Sequence, residues 1–258
     1  MAHVTQAQAQ ACAHACSSES QRTDTHSHSV SLLFFTCPLL LGSNEGVVTL
    51  QIVMHLKCSS MVGVDIDKKL IELANGRKSE TLGYLLKNRQ NASLEGMAKR
   101  SPLADYNLID YNPIIASLEH LAFVTNNILF YDHRRDGVLD AVFCLSTIKW
   151  IHLNHGDEGI RTLFEKVSRM LKKDGIFVLE YQPWRSYQQA TKKKGLAELF
   201  QKDGNGNSIL KNPPDLHIKP EHFKQLLCDD YGFEMIASLE VPTNTYRDRP
   251  LTIFKKVS

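Results

Sequence analysis

No two of the six cysteines (Cys12, Cys16, Cys37, Cys58, Cys144 and Cys228) form a CxxC pair, and no basic start leads into an apolar signal run. A disulfide framework is therefore not expected, and a reducing, intracellular compartment is. Charge of one sign is also scarce. The net charge of +2 offers no overall basic footprint, so any nucleic-acid surface must come from local clustering. Long apolar runs are missing too. Residues 30–41 (VSLLFFTCPLLL) fall short of the ~20 residues that cross a bilayer, and Pro38 interrupts them, so a buried strand and no membrane partner are predicted. Residues 1–29 carry almost nothing large and apolar, which predicts a disordered N-terminal segment. Its histidines (His3, His14, His26, His28) and Cys12 and Cys16 match no zinc spacing, so no metal is expected.

The rest is ordinary enough to fold. The chain has 258 residues, 43% hydrophobic and 22% charged, which allows a full core and predicts one domain over residues 30–258. The segments alternate. After the apolar stretch ending at Leu41 come a turn, GSNEG (42–46), a helical-period segment, VVTLQIVMHL, and a β-rich run, MVGVDID (61–67). Strand, glycine turn, helix, strand is a βαβ unit. Residues 68–86 return to helical spacing, 91–120 read as a loop-rich insertion, and LAFVTNNILF and VLDAVFCLST read as strands. Residues 157–171 place Ile160, Leu163, Phe164, Val167 and Leu171 on one helical stripe, and Lys172, Lys173, Asp174 and Gly175 supply its stop before the apolar strand IFVLEYQ. A helix at 219–229 and a strand pair, FEMIASLEV and PLTIFKKV, complete an α/β chain with a doubly wound, mostly parallel sheet.

Ligands of such sheets bind beyond the carboxyl ends of the strands. Three turns there carry unusual residues. In the first, Gly42 and Gly46 of GSNEG permit a tight turn ahead of a helix N-terminus. In the second, Asp65 can accept bonds from both hydroxyls of a ribose, while Asp67 suits that role or a helix cap. The absent third glycine of GxGxxG counts against a nicotinamide-dependent oxidoreductase. The third is STIKWIHLNHGD (146–157), which is dense in polar and aromatic groups; a capped loop with Asp157 as N-cap and Trp150 as core plug is the structural alternative.

STIKWIHLNHGDEG, followed by LEYQPWRSY (179–187), resembles the signature of the bicoid-interacting family of methyltransferases. The resemblance runs from about Gly42 to the end through VGVDIDKKLI, FVTNN, LHIKPEHFKQLL and RPLTIFKK. It implies a class I, Rossmann-like methyltransferase fold, S-adenosyl-L-methionine as cofactor, and methyl transfer to a phosphate oxygen at an RNA 5′ end. LHIKPEHF and LKKDGIFVLE lean toward the branch that methylates the 5′ γ-phosphate of a small nuclear RNA. Nuclear residence and ribonucleoprotein partners are implied with it. The alternatives are 5′-monophosphate methylation, a catalytically silent RNA-binding subunit, and a small-molecule enzyme sharing only the sheet.

By position, the resemblance assigns Gly42, Ser43, Asn44 and Gly46 to the donor-binding turn, Asp65 to the ribose, Asn127 and Ile128 to the adenine, and Leu145 with Ser146 to the methionine end. Lys149, His152 and Asn154 would face the phosphate. Gln182, Trp184, Arg185 and Tyr187 would bind substrate, with core packing the other role open to Trp184 and a guanidinium fork for phosphate available at Arg185. The TKKK run (191–194) is a candidate RNA-backbone track. Two features depart from the family. Leu40 stands where its first strand usually carries an aspartate, and residues 1–41 lack its Tyr- and Arg-rich leading segment.

Overall fold

The computed structural model describes residues 35–98, 111–131, 136–192, 215–239 and 249–257, and the chain divides into two compact units, Met1–Asn126 and Asn127–Ser258. The segment expected to be disordered, residues 30–34 of the expected first strand, and Lys193 and Lys194 of the lysine run lie outside the described residues.

The first unit contains β1 (Leu39–Leu41), α1 (Val47–Leu56), β2 (Met61–Asp65), α2 (Lys68–Ala98), α3 (Tyr111–Glu119) and β3 (Leu121–Thr125). Its three strands are parallel, with β2 in the middle: Leu40 pairs with Gly63, and Gly63 with Phe123. All of β1 is buried, Leu40 included, as an apolar parallel strand should be. α1 buries Thr49, Leu50, Ile52 and Val53 and closes on Lys57, which takes a left-handed φ of 49° and bonds back to the Val53 carbonyl.

The loop-rich insertion expected at 91–120 is corrected in part. α2 runs on to Ala98, and α3 occupies 111–119. α2 is polar on most of its surface and contains Gly76 and Gly83, so its period fades in the sequence although nothing interrupts the backbone ladder. α3 carries Pro113 in its first turn, where the missing N–H leaves no helical bond unmade, and buries Ile115 and Leu118.

The second unit contains β4 (Leu139–Leu145), α4 (Ile148–Met170), β5 (Leu171–Glu180), α5 (Trp184–Lys192), a 3₁₀ turn (Pro220–His222), α6 (Phe223–Asp230), β6 (Phe233–Leu239) and β7 (Leu251–Lys256). β4 and β5 are parallel, and β7 and β6 add the expected antiparallel pair. α4 begins at Ile148, not at 157, but Gly156 (φ 68°, ψ −164°) breaks it, so Asp157 opens a second helical piece. Ile160, Leu163, Phe164 and Val167 form the buried stripe of that piece. The helix stops at Met170, and 172–175 fall within the irregular start of β5, with Asp174 left-handed at φ 64°. Phe164, Phe177, Phe223 and Phe254 are fully buried, each contributing roughly 2–3 kcal/mol of apolar burial to this core.

Among the described residues no helix is long and apolar enough to cross a membrane.

Candidate functional site

In the first unit, the chain leaves β1 through three left-handed residues, Gly42 (φ 71°), Asn44 (φ 51°) and Gly46 (φ 78°). The N–H groups of Gly42 and Ser43 both donate to the Val64 carbonyl, which folds the turn over the end of β2. A Cβ on Gly46 would lie 2.8 Å from Ala74 Cβ and from Phe123 Cζ, so only glycine fits between helix and strand there. Asp65, at the carboxyl end of β2, receives the Asn44 N–H on Oδ2 (2.8 Å) and the Asp67 N–H on Oδ1 (3.0 Å). Each oxygen keeps a lone pair, and the carboxylate is only half-buried. The other acid is settled: Asp67 caps α2 by accepting from the Lys69 N–H at 2.8 Å. Ser43 is 3% exposed, and its hydroxyl has no partner among the described residues. The turn therefore offers a half-buried carboxylate and a buried hydroxyl unpaired among the described residues, which fits the ribose and polar end of a nucleoside donor.

In the second unit, Asn127 shapes its own turn by accepting the Leu129 N–H on its side-chain oxygen (3.0 Å), and Ile128 is buried beside it. Lys166 of α4 donates to the Leu129 carbonyl and ties that turn down. At the end of β4, after buried Leu145, Ser146 is held at a left-handed φ of 59°, a costly conformation for serine. Four bonds hold it there. Its N–H donates to the Glu180 carbonyl, its hydroxyl donates to Glu180 Oε1 (2.6 Å) and accepts from Arg249 Nη1 (2.7 Å), and its carbonyl accepts from Gln182 Nε2 (3.0 Å). Neighbouring Cys144 is pushed up to about 12 by burial, with Glu180 adding to the shift, so it remains an inert thiol.

The signature residues run from exposed Arg185 through the largely buried Lys149 to a fully buried group. Lys149 donates to Ser186 Oγ (3.1 Å) and lies 4.4 Å from the centre of the Trp150 ring. Arg185 is exposed at the start of α5. Trp184 is half-buried and stacks on Tyr187 at 5.3 Å, with Lys219 Nζ 6.0 Å from its ring. The others face inward. Tyr187 is fully buried with Leu153, Ala190 and Leu216, its phenol held well above its ordinary value by burial. Asn154 donates to the Trp150 carbonyl one turn back.

His152 is 0% exposed, edge-on to Tyr187 at 5.5 Å, and its Nε2 lies 2.9 Å from Asp157 Oδ1. Burial lowers the imidazole despite that carboxylate. For Asp157, burial acts upward, but the bonds from His152 and from the His217 and Ile218 N–H groups outweigh it and hold the carboxyl low. Both directions describe a neutral imidazole donating Nε2–H to a carboxylate. Together they fasten residues 217 and 218 to α4, and His152 does not reach an open surface.

Glu180 and Arg249 escaped the sequence reading. A carboxylate inside an otherwise apolar strand was a signal, because a buried charge requires a partner. Arg249 gave none, lying 103 residues from Ser146.

Residues 139–256 match the family described as Bicoid-interacting protein 3 (Bin3). The chain is 32% identical over 249 residues to the 7SK snRNA methylphosphate capping enzyme of Homo sapiens, an alignment covering 84% of this chain and 34% of that protein. It is 34% identical over 118 residues to the RNA 5′-monophosphate methyltransferase of Homo sapiens, covering 46% and 37%. The chain thus spans about a third of the length of these relatives. Among solved structures, the N-methyltransferase NodS from Bradyrhizobium japonicum WM9 aligns with a TM-score of 0.57 over 97% of this chain and 95% of that one, at 11% identity. That likeness is one of fold, the class I methyltransferase fold that the resemblance implied.

Proposed function

The chain belongs to the bicoid-interacting protein 3 family, and from that premise we propose that it is an S-adenosyl-L-methionine-dependent RNA methyltransferase acting on the 5′ γ-phosphate of a small nuclear RNA. Nuclear residence and ribonucleoprotein partners are part of this proposal. The observation that carries it is the identity to a methylphosphate capping enzyme across 84% of the chain.

When bound, S-adenosyl-L-methionine supplies a methyl group on a cationic sulfur. Asp65 would hold its ribose diol, with both carboxylate oxygens already aligned by backbone N–H groups. Ser43 would provide a hydroxyl at the glycine turn, Asn127 and Ile128 an edge and a face for the adenine, and Leu145 with Ser146 the wall at the methionine end. A phosphate oxygen is anionic at neutral pH, so positioning and charge compensation matter more than a general base. The burial of His152 is consistent with this. Exposed Arg185 and the largely buried Lys149 would supply positive charge, and Trp184 a ring for the terminal nucleotide. One observation favours the silent RNA-binding alternative: Leu40 puts a buried apolar side chain where the family has an acid.

The test is a calorimetric titration with S-adenosyl-L-methionine, followed by methyl transfer to one RNA bearing a 5′-triphosphate, a 5′-monophosphate or a 5′-hydroxyl. Donor binding with transfer to the triphosphate is expected. Transfer to the monophosphate alone moves the chain to the other branch. Folded protein that binds RNA but no donor ends the enzymatic reading.

A further inference from the structure

Arg249 stands two residues before β7, and the β5–β7 register pairs Leu251 with Glu180. That register delivers the guanidinium to the carboxyl ends of β4 and β5. Glu180 is 1% exposed there, whereas Arg249 is 29% exposed, so the carboxylate is inside and the cation reaches outward. Nη1 donates to Ser146 Oγ at 2.7 Å and to Glu180 Oε1 at 3.3 Å, which uses both of its hydrogens. The Nε and Nη2 hydrogens, three coplanar donors, make no hydrogen bond among the described residues. Ser146 is clamped from the other side by Gln182, so the plane of the fork is set by a rigid frame.

Resting on the RNA-phosphate reading, we propose that Arg249 is the fork that binds the 5′-terminal phosphate of the RNA and that Glu180 is its positioning residue. A fixed guanidinium edge with three donors unused among the described residues matches two oxygens of one tetrahedral anion, which a lysine cannot do. Lys149, the nearer candidate in sequence, already bonds Ser186 and lies against Trp150. The carboxylate of the methyl donor shares the two-oxygen chemistry. Ser146, a neighbour of the fork, is also assigned to the methionine end of the donor, so the two occupants are separated by experiment.

Two affinities separate these sources: that for one RNA with a 5′-triphosphate or a 5′-hydroxyl, and that for S-adenosyl-L-methionine. In full-length protein, Arg249→Lys is expected to lower the preference for the triphosphate end by about tenfold or more, leaving the donor and hydroxyl-ended RNA affinities within about twofold. Arg249→Ala should abolish the preference, and Glu180→Gln should raise KM for RNA with kcat little changed. Arg249→Lys keeps a cation against Glu180, and its thermal transition verifies the fold. An unchanged preference in both Arg249 variants overturns the assignment. So does a loss confined to donor affinity, which would give the fork to the donor carboxylate. A wild-type chain that ignores the phosphorylated end overturns the parent reading, and this one with it.

Discussion

Asp65 and Asp157 use one device for opposite ends. Each accepts two backbone N–H groups from a distant or neighbouring segment, Asp65 from Asn44 and Asp67, and Asp157 from His217 and Ile218. Asp65 then stops, leaving an accessible carboxylate at a strand end. Asp157 goes on to bond the buried His152 and becomes a rivet. Under the proposed function, a carboxylate held by backbone donors serves a ligand only where its remaining lone pairs stay open to solvent. The same contrast runs through the two regions: the turn at 42–46 buries Ser43 but keeps Asn44 and Glu45 outward, and much of the segment at 146–157 turns its polar groups in.

The largest expected effect breaks that comparison directly. Asp65→Ala should weaken S-adenosyl-L-methionine binding by about 2–3 kcal/mol, roughly a hundredfold, because two hydrogen bonds to a charged acceptor are lost. Asp157→Ala should reverse the pattern, costing about 1.5–3 kcal/mol of stability through an unpaired His152 and two freed N–H groups, with donor affinity unchanged. Calorimetry and urea unfolding on both variants decide it. If Asp157→Ala loses donor affinity and Asp65→Ala does not, the roles assigned to the two carboxylates are wrong.

The same contrast explains what the sequence could disclose. The glycine turn and Asp65 were legible because the device is local: a turn, a strand and an acid about twenty residues on. Helix α1, the buried stripe of α4 and the closing strand pair were legible from period alone. The inward roles of His152, Asn154 and Tyr187 were not, because a polar residue near a strand end looks the same in sequence whether it faces solvent or α6. Gly156 is the physical reason for the shortened α4. It carries the helix across a break that sequence reading takes as a start. The Ser146–Glu180–Arg249 network was out of reach because sheet register, not spacing, assembles it.

A smaller effect follows from the rivet's titration. The His152 pKa lies below its ordinary 6.5 in the folded chain, so its contribution to stability is complete above 6.5 and is lost as pH falls through the folded value. Asp157, lowered from 3.8, loses its share only in more acid solution, and His155, also lowered by burial, adds to the first window. Unfolding free energy should therefore be level from pH 8 to about 7 and decline below about 6.5, with at most about 1.4 kcal/mol per pH unit from each histidine. His152→Asn, though less stable, should flatten part of that decline. A wild-type stability that rises on acidification would mean an imidazolium in the core and would overturn the neutral His152–Asp157 pair.

The smallest effect tests whether Tyr187 belongs to the core or to the substrate. Its hydroxyl is buried with no hydrogen-bond partner among the described residues, its ring stacks on Trp184, and His152 meets it edge-on. An unpaired buried hydroxyl has lost water and gained nothing in exchange, so removing it should cost nothing. Tyr187→Phe is expected to leave stability unchanged or raise it by up to about 1 kcal/mol, with KM for RNA and donor affinity both unaltered. The stack on Trp184 needs only the ring, which phenylalanine retains. A several-fold rise in KM for RNA in this variant would show the hydroxyl reaching substrate in the bound state, which requires α5 to move. Tyr187 would then cross from the inward class to the outward one, and the line drawn between the two regions would have to shift with it.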